Sequence, residues 1–178
     1  MLARTGYIRL NICKIMLLGD MGVGKTSLAQ QLKFGKIEGE YLSTVGFEVL
    51  TYTIDEGPGG HPFQFLIWDT DGSFGTTIFE TVYLKGAQAA FFVGDVTRPA
   101  TLKSLQVLSQ QFEDKLPGRY SALILNKIDL LPTSDEIELP EDLALAGRSL
   151  LRTSAKTGEG VHEAFQEAAD TIVRRGLV

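Results

Sequence analysis

The sequence is short of cysteine, of long apolar runs and of positive charge. One cysteine in 178 residues cannot form an internal disulfide, and such a composition is typical of a reducing compartment. No apolar run approaches the roughly 20 residues of a membrane-spanning helix, and the opening stretch MLARTGYIRLN has no hydrophobic segment of signal-peptide length. The closing stretch VRRGLV has no cysteine to accept a lipid. These absences predict a cytoplasmic protein without an anchor of its own, which only partners would recruit to membranes.

Net charge and chain length narrow the possible classes of protein further. A formal net charge of −5 argues against binding to nucleic acid, and a composition that is 44% hydrophobic and 22% charged is typical of a globular protein. The length predicts one domain over residues 1–178, with a core over about 11–175. Cys13 lies inside an apolar run, so we expect it to be a small buried hydrophobic residue.

Short apolar runs alternate with helical patterns, which predicts an α/β fold with a mostly parallel sheet between helices on both faces. Two runs flank the turn-forming stretch EGPGGHP, and they predict a hairpin with one antiparallel edge strand. The predicted strands are ICKIMLLG, Phe47–Asp55, Phe63–Asp69, Ala89–Asp95, Ser121–Asn126 and Ser149–Ser154. The predicted helices are Lys25–Phe34, Thr77–Leu84, Thr101–Leu116, Glu141–Ala146 and Val161–Arg174.

The stretch GDMGVGKT follows the first predicted strand and matches the phosphate-loop pattern G-x-x-x-x-G-K-[ST]. Its glycines let several backbone N–H groups point at one anion, and the next helix adds its positive dipole end. Lys25 can reach the β- and γ-phosphates, and the Thr26 hydroxyl can ligate Mg²⁺. The residues predicted to bind phosphate or magnesium here are Asp20, Met21, Gly22, Val23, Gly24, Lys25, Thr26 and Ser27.

Two later polar clusters favour a guanine base. Asp129 in NKID can accept hydrogen bonds from guanine N1–H and the 2-amino group, a donor pair that adenine lacks. Asn126 can tie this loop to the phosphate loop, and the stem of Lys127 can cover one face of the base. The stretch Ser154-Ala155-Lys156 follows the last strand. There the Ala155 N–H could meet guanine O6, and Lys156 could lie over the ring.

The strand FLIWD ends in the fourth cluster, Asp69-Thr70-Asp71-Gly72. The Asp69 carboxylate can hold the shell of Mg²⁺ through water, and the Gly72 amide can meet the γ-phosphate. Because ligands of parallel α/β sheets bind beyond the carboxyl ends of the strands, we expect all four clusters to lie together.

The stretches GDMGVGKT, STVGFE, WDTDG, NKID and TSAK, in this order, resemble those of Ras-superfamily small GTPases over about Asn11 to Arg174. Trp68 before Asp69 and the stretch TSAKTGEGVHEAF are most similar to the Rab branch, with some likeness to Ran. The resemblance implies a P-loop NTPase G domain whose six-stranded, mostly parallel sheet has one antiparallel edge strand. It also implies GTP and GDP as substrate and product, Mg²⁺ as cofactor, and a protein that is monomeric alone.

By the same resemblance, Thr44 completes the Mg²⁺ shell and holds the γ-phosphate, and Tyr41 closes over the phosphates. The segments 37–47 and 69–85 are then the switch segments, to which effectors, an activating protein and an exchange protein bind. The candidate catalytic residues are Lys25, Thr44, Gly72 and Ser73.

Four positions depart from the family pattern. Ser73 stands where the family has a glutamine that orients the attacking water, and serine is too short to do so. Asp71 replaces an alanine and opposes GTP unless it is turned away, protonated or bound to metal. Met21 replaces a frequent glycine and crowds the space that a partner's arginine would enter, while Ile37 replaces an aromatic residue beside the base.

These departures predict slow GTP hydrolysis by a molecular switch. The alternative is a GTP-locked binding module that recruits partners with negligible hydrolysis. An ATP-dependent kinase or transporter subunit is disfavoured, because the chain has no lid-like insertion and Asp129 would have no role.

Arg98 in DVTRPATL is interpreted as part of a solvated loop at the start of a helix.

Overall fold

The computed structural model describes residues 10–37, 44–80, 82–132, 137, 139, 140, 143 and 148–178. Over these ranges the strands are β1 (Asn11–Leu18), β2 (Phe47–Ile54), β3 (Phe63–Thr70), β4 (Ala89–Asp95), β5 (Tyr120–Asn126) and β6 (Ser149–Thr153). The α-helices are α1 (Lys25–Phe34), α2 (Pro99–Lys115) and α3 (Val161–Arg174). Apart from Leu143, the helix predicted at Glu141–Ala146 lies outside the described residues, and so does Tyr41.

The strands form a six-stranded sheet in the order β2-β3-β1-β4-β5-β6. β2 runs antiparallel to β3, and the other neighbours are parallel. The predicted architecture is therefore confirmed. The central strand β4 is buried along its whole length, whereas the edge strand β2 is largely exposed or half-buried. This difference is expected, because helices cover both faces of the sheet at its centre and leave its edge open to solvent.

Two apolar layers cover the two faces of the sheet. Cys13, Ile15 and Leu17 of β1 point into the layer under α1 and α3, and Met16 and Leu18 point into the layer under α2. Cys13 has no exposed surface, so its predicted burial is confirmed. Burial raises the pKa of its thiol to about 12, which keeps it protonated and unreactive.

The segment after β3 differs from the prediction. Instead of an α-helix over Thr77–Leu84, the chain forms 3₁₀ turns over Gly72–Glu80 and Val82–Leu84. Gly75 interrupts the first of them with φ 46° and ψ −130°, outside the helical region. The i→i+3 hydrogen bonds of these turns take the place of an α-helical hydrogen-bond ladder in this segment.

α2 begins at Pro99, two residues earlier than predicted. Proline suits the first turn of a helix because its missing N–H has no partner there in any case. Of the helices in the described ranges, none is both long and apolar enough to cross a membrane.

Candidate functional site

The carboxyl ends of β1, β3, β4, β5 and β6 meet at one edge of the sheet, and the loops that follow them carry the predicted site residues. The structure brings all of these residues together except Tyr41, which lies outside the described part of the chain.

The predicted phosphate loop connects β1 to α1. Gly24 has φ 102°, and a Cβ at this position would collide with the Asn126 amide. Glycine is therefore required both by the backbone and by the neighbouring loop. α1 begins at the next residue, so its unpaired N–H groups and its positive dipole end face the loop.

Lys25 is 6% exposed, and its ammonium donates to the carbonyl oxygens of Gly19 at 2.8 Å and Asp20 at 3.0 Å. Burial lowers its pKa, and the carboxylates of Asp69, Asp20 and Asp71 act in the opposite direction. The ammonium is thus held at the centre of the loop, with acidic groups around it that favour its charged form.

Three oxygen ligands converge beside this lysine. The Thr26 hydroxyl lies 2.5 Å from Asp69 Oδ2 and 2.9 Å from the Thr44 hydroxyl, and Thr44 Oγ1 lies 3.4 Å from the same Asp69 oxygen. Asp69 is fully buried, and its Oδ1 has no hydrogen-bond partner. Burial raises the pKa of Asp69, while the Thr26 hydroxyl and the Lys25 charge lower it.

This donor set fits a magnesium ion. Mg²⁺ prefers hard oxygen ligands and usually takes one or two carboxylates together with water and phosphate. An ion near Thr26 and Thr44 would compensate the buried Asp69 carboxylate, whose second oxygen is otherwise unsatisfied. The geometry therefore agrees with the three predicted ligands.

Gly72 packs directly against the phosphate loop. A Cβ at this position would collide with backbone atoms of Met21 and Asp20. The preceding residue joins two segments, because the Asp71 N–H donates to the Gly46 carbonyl at 2.8 Å. The residues next to Thr44 are thereby fixed against the end of β3.

The Asp71 carboxylate is bound within its own turn. Its Oδ1 accepts the Ser73 N–H at 2.9 Å. Hydrogen bonds from Ser73 lower the pKa of Asp71, so this group is ionised at neutral pH. The carboxylate is thus turned into the Ser73 loop, and its state beside a bound triphosphate stays a prediction.

The predicted base site is a cavity of about 130 Å³. It is lined by Gly24, Ser27, Ile37, Asn126, Lys127, Asp129, Leu130, Ala155 and Lys156. Ile37 is 43% exposed and forms part of the wall, so the residue that replaces the family's aromatic side chain lies where sequence reasoning expected it.

Asn126 connects three loops. Its Nδ2 donates to the Val23 carbonyl at 2.9 Å, and its Oδ1 accepts from the Thr153 hydroxyl at 3.0 Å and from the Ala155 N–H at 3.1 Å. The last bond differs from expectation, because the Ala155 N–H was predicted to be available to guanine O6. A base oxygen at this position would have to share that N–H with Asn126.

Asp129 is oriented by the loop after β6. Its Oδ1 accepts from the Ser154 hydroxyl at 2.6 Å, and Lys156 Nζ lies 4.0 Å from its Oδ2. One carboxylate oxygen is therefore fixed by a short hydrogen bond, and the other has only a distant cation. This arrangement presents an acceptor to the base cavity in a defined direction.

Sequence reasoning missed Asp95 and the contact of Arg98, which together with the predicted site residue Lys127 hold the phosphate loop. Asp95, at the end of β4, is 1% exposed and pairs with Arg98 Nε at 3.0 Å and Lys127 Nζ at 2.7 Å. Both cations also donate to the phosphate loop, Arg98 to the Met21 carbonyl at 3.1 Å and Lys127 to the Gly22 carbonyl at 2.8 Å.

Arg98 does precede a helix, as predicted, but its side chain does not merely face solvent. Asp95 carried a signal that could have identified the set, since it is a carboxylate at the end of an apolar strand, as Asp69 is. No pattern in the sequence indicates the contact of Arg98 with the phosphate loop.

Asp95 gives a pH-dependent contribution to stability. Burial raises its pKa, but hydrogen bonds from Lys127, Thr97 and Arg98 outweigh this and lower it from 3.8 to about 2. The folded state therefore binds this proton less readily than the unfolded state. The stabilisation is fully present above about pH 4 and is lost as the pH falls through about 2.

We expect the unfolding free energies of the wild type and of Asp95→Asn to differ most at neutral pH. This difference should shrink by about 2 kcal/mol between about pH 4 and about pH 2, since one pKa unit corresponds to about 1.4 kcal/mol. Urea unfolding followed by circular dichroism at stepped pH measures it. A difference that does not depend on pH would contradict the assignment of this pKa.

Comparison with known proteins agrees with this geometry. The Ras family model matches residues 14–174. Rab-18-B of Danio rerio is 31% identical over 172 residues, which cover 93% of this chain and 81% of the relative. RABA1b of Arabidopsis thaliana is 32% identical over 167 residues, or 90% of this chain and 75% of the relative. The GTP-binding protein ypt5 of Schizosaccharomyces pombe is 33% identical over 165 residues, or 89% and 77%. The chain therefore belongs to the Ras family and, within it, to the Rab branch of the small GTPases.

Proposed function

We propose that this GTP-binding switch binds GTP with Mg²⁺ and hydrolyses it to GDP and phosphate at a low intrinsic rate. The observation that carries the low rate is the turn in which Asp71 accepts the Ser73 N–H. By the resemblance of the surrounding sequence, Ser73 in this turn stands where the family has the glutamine that orients water.

The phosphate end of the site binds and orients the substrate. The loop amides and the Lys25 ammonium offer positive charge to the β- and γ-phosphates, while Thr26, Thr44 and Asp69 supply oxygen ligands for the metal. When bound, Mg²⁺ neutralises charge that develops on the phosphate oxygens. The Gly72 backbone lies against the phosphate loop and lines the same pocket as Lys25 and Thr26, which supports a contact between its amide and the γ-phosphate.

The low rate follows from the chemistry of Ser73. Its side chain is exposed and lacks the amide that would both accept from and donate to a water molecule. Bound GTP should therefore persist longer in this chain than in a glutamine-bearing relative.

The alternative is a GTP-locked module whose output is partner recruitment. An aromatic surface formed by Phe47, Trp68 and Tyr83 favours it, with ring centroids 4.9 Å apart for Phe47–Trp68 and 4.5 Å apart for Phe47–Tyr83. Phe47 is 38% exposed. This surface joins the end of the first proposed switch segment, at Phe47, to the second, at Tyr83, so the binding of a protein effector there would depend on the conformation of both segments.

Single-turnover hydrolysis of GTP in the presence of Mg²⁺ tests the proposal. We expect measurable but slow turnover by the wild type, and acceleration by roughly tenfold or more in Ser73→Gln, less than the ~10²–10⁴-fold that a well-placed general base contributes. Thr76→Gln is the matched control, because Thr76 is exposed in the same segment and should not change the rate.

Three outcomes separate the possibilities. A wild-type rate equal to that of Ser73→Gln would overturn the role given to Ser73. Undetectable hydrolysis, with mostly GTP in the purified protein, would favour the locked module. Mostly GDP in the purified protein would favour a cycling enzyme. The nucleotide released from denatured protein is identified by ion-exchange chromatography.

A further inference from the structure

We propose that Arg98 is a positioning residue of the nucleotide site, which holds the phosphate loop in the conformation that receives the β-phosphate. This inference rests on the proposed nucleotide-binding function, and it assigns a role to a side chain outside the family's binding stretches.

The guanidinium of Arg98 makes two contacts at once. Its Nε donates to Asp95 Oδ2 at 3.0 Å, and its Nη2 donates to the Met21 carbonyl at 3.1 Å. The planar fork of arginine holds two donors in a fixed relative direction, which the single ammonium of lysine does not. Asp95 is buried and pairs with Lys127 as well, so the arginine is anchored to the sheet rather than to a mobile surface group.

The Asp95 carboxylate thus forms ion pairs with two cations, and each of these cations donates a hydrogen bond to one of two consecutive carbonyls of the phosphate loop. Arg98 binds the carbonyl of Met21, and Lys127 binds that of Gly22 at 2.8 Å. Lys127 adopts a left-handed backbone conformation with φ 69°, which is uncommon for a residue with a side chain. Its contacts with the loop and with Asp95 compensate for this conformation.

The planarity of the peptide bond connects these contacts to the ligand. In a trans peptide the C=O of one residue and the N–H of the next point in opposite directions. A Met21 carbonyl directed at Arg98 therefore directs the Gly22 N–H away from Arg98. Likewise, a Gly22 carbonyl directed at Lys127 directs the Val23 N–H away from Lys127. The two cations thereby orient successive amides towards the side where an anion would bind.

The same contacts remove two obstacles to anion binding. Carbonyl dipoles that face a phosphate would repel it, and here they are turned outward and paired with positive charge. Gly22 has φ 73°, and a glycine-containing loop loses much backbone entropy when it is ordered. A loop that is already held by Arg98 requires less ordering when the nucleotide binds.

α2 provides a second, independent anchor on the neighbouring residue. The Ser104 hydroxyl donates to Asp20 Oδ2 at 2.9 Å. This bond fixes a side chain and not a carbonyl, so it does not set the direction of an amide. Ser104→Ala therefore serves as a variant that loosens the loop at the same helix without touching the peptide units that Arg98 orients.

The test compares Arg98→Ala, Arg98→Lys and Ser104→Ala with the wild type. Arg119→Ala is the matched control, since Arg119 is exposed just before β5, at the opposite end of that strand from the site. The first readout is the dissociation rate of a fluorescent GDP analogue in the presence of Mg²⁺. We expect about a tenfold increase in Arg98→Ala, in line with the loss of one partly exposed, charge-assisted hydrogen bond.

A second readout separates positioning from general destabilisation. GMP lacks the β-phosphate, so the ratio of GDP to GMP affinity should fall about tenfold in Arg98→Ala. The ³¹P resonance of the β-phosphate of bound GDP should shift in Arg98→Ala and not in Arg119→Ala or Ser104→Ala. Arg98→Lys should retain less than half of the stabilisation, because one ammonium cannot replace both donors.

The outcomes are distinguishable. A wild-type dissociation rate in Arg98→Ala, full recovery in Arg98→Lys, or an equal loss of GDP and GMP affinity would overturn the inference. A wild-type protein that binds neither GDP nor GTP would instead overturn the proposed function. A selective loss of GDP affinity with a shifted β-phosphate resonance would support the role of Arg98.

Discussion

Replacing Asp129 with alanine is expected to lower the affinity for GDP by about two to four orders of magnitude. Asp129 offers one oxygen fixed by Ser154 at 2.6 Å and one with only a distant cation. A guanine base would donate two hydrogen bonds to this carboxylate. Each hydrogen bond to a charged group contributes about 1.5–3 kcal/mol, and 1.4 kcal/mol corresponds to a factor of ten.

Inosine diphosphate (IDP) tests whether the lost affinity comes from the contact between Asp129 and the 2-amino group of guanine. Inosine lacks the 2-amino group, so the wild type should bind GDP at least tenfold more tightly than IDP, whereas Asp129→Ala should bind the two equally. Isothermal titration calorimetry measures both affinities. Asp55→Ala is the control, because Asp55 is an exposed carboxylate in the turn after β2. If Asp129→Ala still discriminated between GDP and IDP, the base would be selected by another residue.

Replacing Lys25 with methionine is expected to weaken GDP and GTP binding by about one to two orders of magnitude, since one hydrogen bond to a charged group contributes about 1.5–3 kcal/mol. Methionine retains most of the length of the buried stem but removes the ammonium, which contacts the Gly19 and Asp20 carbonyls. The substitution therefore removes one charge-assisted contact to phosphate with little change in packing. GMP affinity should change much less, because the ammonium serves the β- and γ-phosphates.

Competition against a fluorescent GDP analogue measures all three affinities. Lys33→Met is the matched control, since Lys33 is exposed near the end of α1. A Lys25→Met variant with wild-type affinity for GDP would exclude the phosphate-binding role of this loop. An equal loss for GMP would indicate that the substitution disturbs the fold and not the contact with phosphate.

The fold could be predicted because its determinants are local. The apolar runs that became β4, β5 and the second half of β1 are largely buried on both faces, and the glycine- and proline-rich stretch EGPGGHP directs β2 and β3 into a hairpin. The helix over Thr77–Leu84 was predicted wrongly, because helical periodicity does not distinguish the 3₁₀ turns found there from an α-helix. The packing of this segment against α2 allows 3₁₀ turns there.

The candidate site was predictable to the extent that each cluster follows a strand. Asp69, Asn126 and the Ser154-Ala155-Lys156 stretch all lie where the ends of parallel strands require. The hydrogen bonds among them could not be predicted. The Ala155 N–H is bound to Asn126, and the Asp71 carboxylate is bound to Ser73. Such choices depend on distances of a few tenths of an ångström between residues far apart in the chain.

The sequence by itself determined the succession of the six strands along the chain, the phosphate-loop pattern and the residue types available for phosphate, metal and base. These properties depend on periodicity and on neighbours along the chain. Only the tertiary structure decided that Asp95 joins Arg98 and Lys127 on the carbonyls of Met21 and Gly22. The reason is that a buried carboxylate takes its partners from the elements that pack around it, and packing assembles residues that no local pattern connects.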